Sequence, residues 1–280
     1  MSRIRFVHSL STRPLLVNCY GIDGLKRLLT QAAYFALSVA YLKREGQYVV
    51  LHTDSLGRAV LGHLPYDEVH LTLDEMPRDI NPRFWAASKF VALSHEQAPC
   101  VHIDGDVFIK NSEVVNMIDE LMAEADVVFQ GRDKAEMYAM ERPLFEREEE
   151  FCRAHHCYPD GRDAYNTGLM GFSSENVLHD IVGNYLEVVK HFSATYGTEL
   201  DKNTFLTPDL IAEQKMIEGY VRDNALRCKL LLEQPEDAAK IGYQHVYTID
   251  KHNDLPRCLE TLRIISPEIF ENTARLLGLQ

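Results

Sequence analysis

Two aspartates separated by one glycine, Asp104-Gly105-Asp106, are the residues of this chain best suited to chemistry. They follow the apolar run 100–103 and precede a second apolar run, 107–109. Ligands of open α/β sheets bind outside the carboxyl ends of strands, and in extended geometry residues two apart share one face. Two neighbouring carboxylates repel each other unless a cation relieves them. Carboxylate oxygens suit Mg²⁺ or Mn²⁺, ions that also bridge diphosphates, so the sequence predicts a Mn²⁺ or Mg²⁺ site at Asp104 and Asp106.

A surface turn that ends a strand is the alternative interpretation of Asp-Gly-Asp. The apolar residues 107–109 argue against it, because polar residues are expected after a surface turn.

Polar residues at two other predicted strands add candidates for the same crevice. Thr53 and Asp54 follow the apolar run 48–52, although Asp54 is equally suited to cap the next helix. Tyr165, Asn166 and Thr167 stand directly before a small-residue apolar strand. Amide and backbone donors at such a position can bind a hydroxyl-rich ligand with little steric bulk.

Strand-like and helix-like patterns alternate along the chain and predict an α/β fold in a single domain over residues 1–280. The predicted strands include 4–8, 48–52, 66–71, 126–130 and 243–247, and the predicted helices include 25–43, 82–95, 112–125, 175–192 and 211–220. Residues 131–162 are charge-dense and predict a helical excursion or lid over the sheet. From about residue 134 to residue 162 it is expected to be more mobile than the strands and to become ordered when a donor binds. On the helix 82–95, Lys89 falls on the polar side.

Composition restricts the class of partner. A net charge of -13 and a pI near 5.4 argue against nucleic acid or an anionic membrane. No apolar run predicts a transmembrane segment, and the first residues lack the apolar region of a signal peptide, so we expect a cytoplasmic protein. The six cysteines are expected to be reduced. Cys152, His155, His156 and Cys157 match no usual zinc spacing.

The order of the motifs resembles that of nucleotide-sugar glycosyltransferases of the A-type fold. The resemblance spans most of the chain from residue 5 to residue 245, and it is closest to uncharacterised bacterial members of that clan. The motifs on which it rests are His-Ile-Asp104-Gly-Asp106-Val-Phe, Tyr165-Asn166-Thr167-Gly168, Glu213-Gln214 and His245. The fold implied is a single Rossmann-like mixed sheet flanked by helices.

The resemblance also implies roles for these residues. Asp104 and Asp106 would hold the metal, with His245 completing its ligands. Glu213 and Gln214 would lie beside the anomeric carbon as the catalytic pair. The implied donor-binding residues are Thr53, Asp54, Lys89, Asp104, Tyr165, Asn166 and Thr167. The implied partners are a UDP- or GDP-linked sugar donor and a glycan, lipid or small-molecule acceptor.

Two departures from the family pattern concern these roles. Glu213 stands where the family keeps Asp before Gln, and the spacing from His245 to Lys251 lacks the family's intervening glycine. Since adjacent helix positions differ by about 100°, at most one of Glu213 and Gln214 is expected to face the crevice. Counting from Ile211, Gln214 falls on the inner side and Glu213 toward one edge.

Two other interpretations stay open from the sequence. A nucleotide- or sugar-binding protein of the same fold without activity is one, because fold does not fix function. A haloacid-type phosphatase is the other, but its Asp-x-Asp normally continues with Gly-Thr, whereas Val107 and Phe108 follow here. Glu213 is the candidate base for an inverting transfer, and the choice between inverting and retaining transfer stays open.

Overall fold

The computed structural model describes residues 4–16, 24–202, 207–247 and 251–279. Within them the strands are β1 (Arg5–Leu10), β2 (Tyr48–Thr53), β3 (Glu68–His70), β4 (Cys100–Ile103), β5 (Val107–Ile109), β6 (Val127–Asp133), β7 (Ala164–Phe172), β8 (Cys228–Leu230) and β9 (Tyr243–His245).

Twelve α-helices lie between and after these strands in the described residues. They are α1 (Arg13–Leu16), α2 (Gly24–Arg44), α3 (Ser55–Leu61), α4 (Ala87–Leu93), α5 (Ser112–Glu124), α6 (Arg142–Glu146), α7 (Glu149–Ala154), α8 (Glu175–Lys202), α9 (Met216–Asp223), α10 (Asp237–Ile241), α11 (Lys251–Ile265) and α12 (Pro267–Leu276). Two 3₁₀ turns cover Thr72–Glu75 and Ala135–Tyr138, and a π-helix covers Leu210–Lys215.

Seven strands form one mixed sheet in the order β3-β2-β1-β4-β7-β6-β8. Strand β7 is antiparallel to both of its neighbours, β4 and β6, and the other adjacent pairs are parallel. Strands β5 and β9 form a separate antiparallel pair. The predicted α/β fold with one Rossmann-like mixed sheet flanked by helices is confirmed.

Helices cover both faces of the large sheet, which explains why its central strands are apolar throughout. Strands β4 and β7 are buried along their whole length. One apolar cluster includes α2, α5 and α11, and the other includes α4, α8 and α9. In α2, every residue from Ala32 to Leu42 is buried, so this part of the helix is enclosed on all sides. The assignment of residues 1–280 to one domain stays a prediction.

Tertiary contacts move two predicted boundaries. The predicted helix 82–95 is regular only from Ala87, and the buried carboxylate of Asp209 accepts the Ala86 N–H at 2.7 Å, next to that start. Polar residues 164–168 were predicted to precede a strand, yet they belong to β7, where Asn166 lies opposite Gly131 of β6. A buried strand can carry polar side chains where they find hydrogen-bond partners.

The predicted helical excursion is present, and it begins later than residue 131 because β6 continues to Asp133. Its Tyr138, Phe145 and Cys152 belong to the same apolar cluster as α4 and α8. The excursion is therefore packed against the core at these residues, and its greater mobility stays a prediction.

Five of the six cysteines are free thiols in the structure: Cys100, Cys152, Cys157, Cys228 and Cys258. Cys19 lies outside the described residues. Among the helices that the structure describes, none has the length and apolarity needed to cross a membrane.

Candidate functional site

Asp104 and Asp106 lie in a tight turn at the end of β4. The Val107 N–H donates to the Asp104 carbonyl at 3.0 Å, and the Asp104 N–H donates to the Gly168 carbonyl of β7 at 2.9 Å. The expectation that the two acids share one face of an extended strand is therefore wrong. Gly105 is required in this turn, because a Cβ there would lie 2.2 Å from the ring of Phe35.

The turn sends the chain out of the large sheet into the pair β5–β9, and this change brings His245 to the acids. Val107 is in register with His245, and the Val246 N–H donates to the Asp106 carbonyl at 3.1 Å. One ligand atom from each of Asp104, Asp106 and His245 lies within 4.8 Å of the others. The structure thus brings together the three predicted metal ligands, called the acid–histidine trio below.

Asp106 is buried and held ionised. Burial acts to raise its pKa, but Lys251 and His245 outweigh burial and keep the pKa below the usual value. Lys251 Nζ lies 2.5 Å from Asp106 Oδ2, and His245 Nε2 lies 3.6 Å from Oδ1. The ionised carboxylate is the form that binds a metal ion.

Gln130 orients the ring of His245, and no pattern in the sequence singles this residue out. Its Oε1 accepts the Tyr243 hydroxyl at 2.7 Å and lies 2.8 Å from His245 Nδ1. An amide oxygen only accepts, so Nδ1 carries a proton, and Nε2 is the ring nitrogen that faces Asp106. Such an outer hydrogen bond is the usual way to orient a ligating histidine.

Lys89 is buried between two acids, contrary to its predicted place on the polar side of a helix. Its Nζ lies 2.8 Å from Glu213 Oε1 and 3.1 Å from Asp104 Oδ1, and it donates to the Thr167 carbonyl at 3.0 Å. Burial lowers the pKa of Lys89, but the two carboxylates outweigh burial and raise it well above its usual value. Lys89 therefore stays charged and links Glu213 to the acid–histidine trio.

Glu213 and Gln214 are both buried, and they bond different partners, so the expectation that at most one of them faces the crevice stays a prediction. They lie in the π-helix, whose i→i+5 bonding changes the angles between neighbouring side chains. Glu213 bonds Lys89, and Gln214 Oε1 accepts the Tyr138 hydroxyl at 2.6 Å. Burial raises the pKa of Glu213, and Lys89 partly offsets the rise.

Asp133 is a further carboxylate near this group that sequence reasoning missed. Its Oδ2 accepts the Asn166 amide at 2.8 Å. Burial raises its pKa, an effect opposed by hydrogen bonds from Asn166 and Gln214. The sequence predicts this strand to end at residue 130, and only the extension of β6 shows that Asp133 stands at a strand end, where site residues are expected.

The other predicted donor-binding residues have partners within the fold. Tyr165 stacks on Phe129 with ring centroids 4.5 Å apart. Thr53 is fully buried, and its hydroxyl donates to the Leu10 carbonyl at 2.8 Å. Asp54 accepts the Gly57 N–H at 2.8 Å and so caps α3, the alternative left open by the sequence. A role of these three residues in donor binding stays a prediction.

The Cys152–Cys157 segment serves the packing of the excursion. Cys152 Sγ donates to the Phe145 carbonyl at 3.5 Å, and His156 lies 2.8 Å from Asp223. In the described part of the chain, the acid–histidine trio is the one group of three or more His, Cys, Asp or Glu residues spaced to hold a metal ion.

A family model described as a family of unknown function (DUF6734) matches residues 18–266. A search of curated proteins found no match.

Three solved structures with similar chains are glycosyltransferases. Mouse xyloside xylosyltransferase 1, in its apo form, is 12% identical, with a TM-score of 0.39 over 80% of this chain and 82% of that one. The galactosyltransferase LgtC, in complex with donor and acceptor sugar analogues, is 11% identical, with a TM-score of 0.40 over 96% and 100%. The bifunctional glycosyltransferase WbbM, in its apo form, is 11% identical, with a TM-score of 0.41 over 96% of this chain and 51% of its own.

Proposed function

This chain belongs to the family of unknown function DUF6734, and from its site we propose that it is a metal-dependent glycosyltransferase that moves a sugar from a nucleotide-sugar donor to an acceptor hydroxyl. The observation that carries the proposal is the acid–histidine trio, joined through Lys89 to the buried Glu213. This arrangement combines a cation site with a carboxylate at the carboxyl end of a sheet strand, where ligands of α/β proteins bind.

The side chains of the trio fit a divalent cation. Asp104 and Asp106 would supply carboxylate oxygens and His245 would supply Nε2, a set of ligands suited to Mn²⁺ and acceptable to Mg²⁺. When bound, the ion supplies Lewis-acid stabilisation of the negative charge that develops on the leaving diphosphate. The hydrogen bond to Gln130 occupies Nδ1 and leaves Nε2 for this role.

Two lysines supply positive charge for an anionic donor in a chain whose net charge is -13. Lys89 and Lys251 each lie within 3.1 Å of a carboxylate of the trio. Once those carboxylates are shared with a cation, the ammonium groups retain positive charge for phosphate oxygens. UDP- and GDP-linked sugars are the donors we propose, with a glycan, lipid or small-molecule hydroxyl as acceptor.

Glu213 and Gln214 are the side chains that we propose act at the reacting sugar. Glu213 is buried and close to Lys89, so it can accept a hydrogen bond or a proton at a water-excluded position. Gln214 is held by Tyr138 and can orient a sugar hydroxyl through its amide. Asn166 lies in the same region and offers further contacts to the donor sugar or the acceptor.

The test begins with binding. Metal-stripped protein is titrated calorimetrically with Mn²⁺, and then with UDP- and GDP-sugars in the presence and absence of Mn²⁺. We expect Asp104→Asn and Asp106→Asn to weaken Mn²⁺ binding by more than about 100-fold. This exceeds the loss that is usual when a residue that only hydrogen-bonds to a metal ligand is replaced. Asp119→Asn, which alters an exposed carboxylate on α5, is the matched control and should bind as the wild type does.

Turnover then separates the transferase from a binding protein. Release of nucleoside diphosphate, with and without a panel of acceptor sugars, is measured for the wild type, Glu213→Gln and Gln214→Ala. A transferase should lose turnover in both variants with little loss of donor affinity, since these groups act on the transition state. Binding without turnover in the wild type would favour the inactive binding protein. Wild-type protein that binds neither Mn²⁺ nor donor would refute the proposal.

A further inference from the structure

His102 is a buried residue of the site region that no step of the proposed function uses. It lies two residues before Asp104 on β4, and its side chain is 1% exposed. Its Nε2 lies 2.9 Å from Ser9 Oγ of the adjacent strand β1. Its Nδ1 has no hydrogen-bond partner in the structure and lies 3.9 Å from Asp104 Oδ1. A buried polar atom without a partner is uncommon and calls for an explanation.

We propose that His102 is a positioning residue that donates a hydrogen bond from Nδ1 to Asp104 and so orients this carboxylate for the cation. The inference rests on the proposed metal site and adds a residue to it. Ligating carboxylates in metal sites are themselves held by outer hydrogen bonds. Lys89 supplies one such contact to Asp104 at 3.1 Å, and His102 is placed to supply the second.

The partners of the ring fix which nitrogen carries the proton. The Asp104 carboxylate only accepts hydrogen bonds, whereas the Ser9 hydroxyl can donate or accept. If the Ser9 hydroxyl donates to Nε2, the proton of the neutral ring is on Nδ1, facing Asp104. The opposite tautomer would set the Nδ1 lone pair against a carboxylate oxygen, an unfavourable arrangement in a buried position.

The remaining distance can be closed by the carboxylate. A direct N–H···O bond needs about 2.7–3.2 Å between the heavy atoms, and Nδ1 and Oδ1 are 3.9 Å apart. The Asp104 side chain is 31% exposed and contacts Lys89 on one side, so it has more room to turn than the buried ring. Sharing this carboxylate with a cation is the change expected to set its final orientation.

Two amide variants separate the roles of the two ring nitrogens. Asparagine can place an N–H donor where Nδ1 lies, and glutamine can place its amide where Nε2 lies. We expect His102→Asn to keep the Mn²⁺ dissociation constant within about threefold of the wild type. We expect His102→Gln to raise it about 10-fold or more, the range measured for outer-shell partners. His52→Gln is the control, since His52 is equally buried but bonds Glu96.

A spectroscopic measurement tests the wild type directly, so the inference does not depend on the variants folding. In ¹⁵N-histidine-labelled protein with Mg²⁺, the His102 resonances should show Nδ1 protonated. Protonated Nε2 would overturn the inference, and so would equal Mn²⁺ affinity for His102→Asn and His102→Gln, whether both are strong or both weak. If the wild type binds no Mn²⁺ at all, the proposed metal site itself fails, which is a distinguishable result.

Discussion

Replacing Lys89 by methionine removes one buried cation from between two acids. Lys89 is 6% exposed, and its Nζ contacts Glu213 at 2.8 Å and Asp104 at 3.1 Å. Methionine keeps most of the length and the apolar stem of the side chain, so the change removes charge more than volume. We expect the free energy of unfolding of Lys89→Met to fall, because Glu213 is left buried without an opposite charge.

The magnitude follows from the distances and the burial. At an effective dielectric constant of about 20, unit charges 2.8 Å apart attract by about 6 kcal/mol. Desolvation of the two charges offsets part of this attraction, and water screens the contribution of the partly exposed Asp104. Removing one partner of a buried pair usually costs about 3–5 kcal/mol. We expect a loss of this size for Lys89→Met at pH 7.5.

The loss should depend on pH, because Glu213 can bind a proton. Burial already raises its pKa above 4.5, and without Lys89 the pKa rises further. A carboxyl group with a raised folded-state pKa lowers stability as the pH rises above its unfolded value, and the effect is complete above the folded-state pKa. Lys89 keeps its charge over this range because its own pKa is raised. The difference from wild type is therefore smaller at pH 5 than at pH 7.5.

Urea denaturation in the presence of EDTA at both pH values measures the effect. Lys43→Met is the control, because Lys43 pairs with Asp67 at 2.7 Å but is 27% exposed, and it should lose no more than about 1 kcal/mol. Lys89→Met combined with Glu213→Gln should recover most of the loss. A loss below about 1 kcal/mol for Lys89→Met, or one that is equal at both pH values, would refute the reasoning.

Three further changes probe the trio. Gly168→Ala would place a Cβ 2.3 Å from the His245 ring, so calorimetry should show weaker Mn²⁺ binding; unchanged affinity would contradict this packing. Lys251→Met removes the ammonium group 2.5 Å from Asp106. Titration should show tighter binding of Mn²⁺ alone and weaker binding of nucleoside diphosphates. Weaker binding of both would contradict the view that Lys251 competes with the metal for Asp106. Gly105→Ala overpacks against α2 and should cost about 1–3 kcal/mol in urea denaturation, whereas a neutral result would contradict the close contact.

Local patterns were sufficient to predict the acid pair and most of the sheet. Apolar runs of strand length ending in polar residues are visible without any alignment, and they placed Asp104 and Asp106 at a strand end. The resemblance to a family added His245, whose ligand role the sequence alone does not indicate. The structure brings these three residues within 4.8 Å, so the grouping of the trio was predictable.

The surroundings of the trio depend on contacts between distant parts of the chain, and these were not predictable. The resemblance implies Lys89 for donor binding, but its helix pattern puts it on the polar side, and only the approach of the π-helix shows that it is buried beside Glu213. Gln130 lies in an apolar strand, and its partner His245 is far away in sequence. The π-helix itself has no signature in the sequence. The direction of the Glu213 side chain could therefore not be derived from the angle between neighbouring residues of an α-helix.

The pairing of each acid with its own lysine suggests how donor and cation binding are coupled. Asp104 is paired with Lys89 from α4, and Asp106 with Lys251 from the start of α11, so the lysines come from helices of the two different apolar clusters. Without a cation the two lysines are matched by Asp104, Asp106 and the buried Glu213, so an anionic donor gains no attraction to the site. A divalent cation shared by the two carboxylates adds net positive charge there. On the proposed function, donor binding therefore follows cation binding, even though the chain as a whole is acidic.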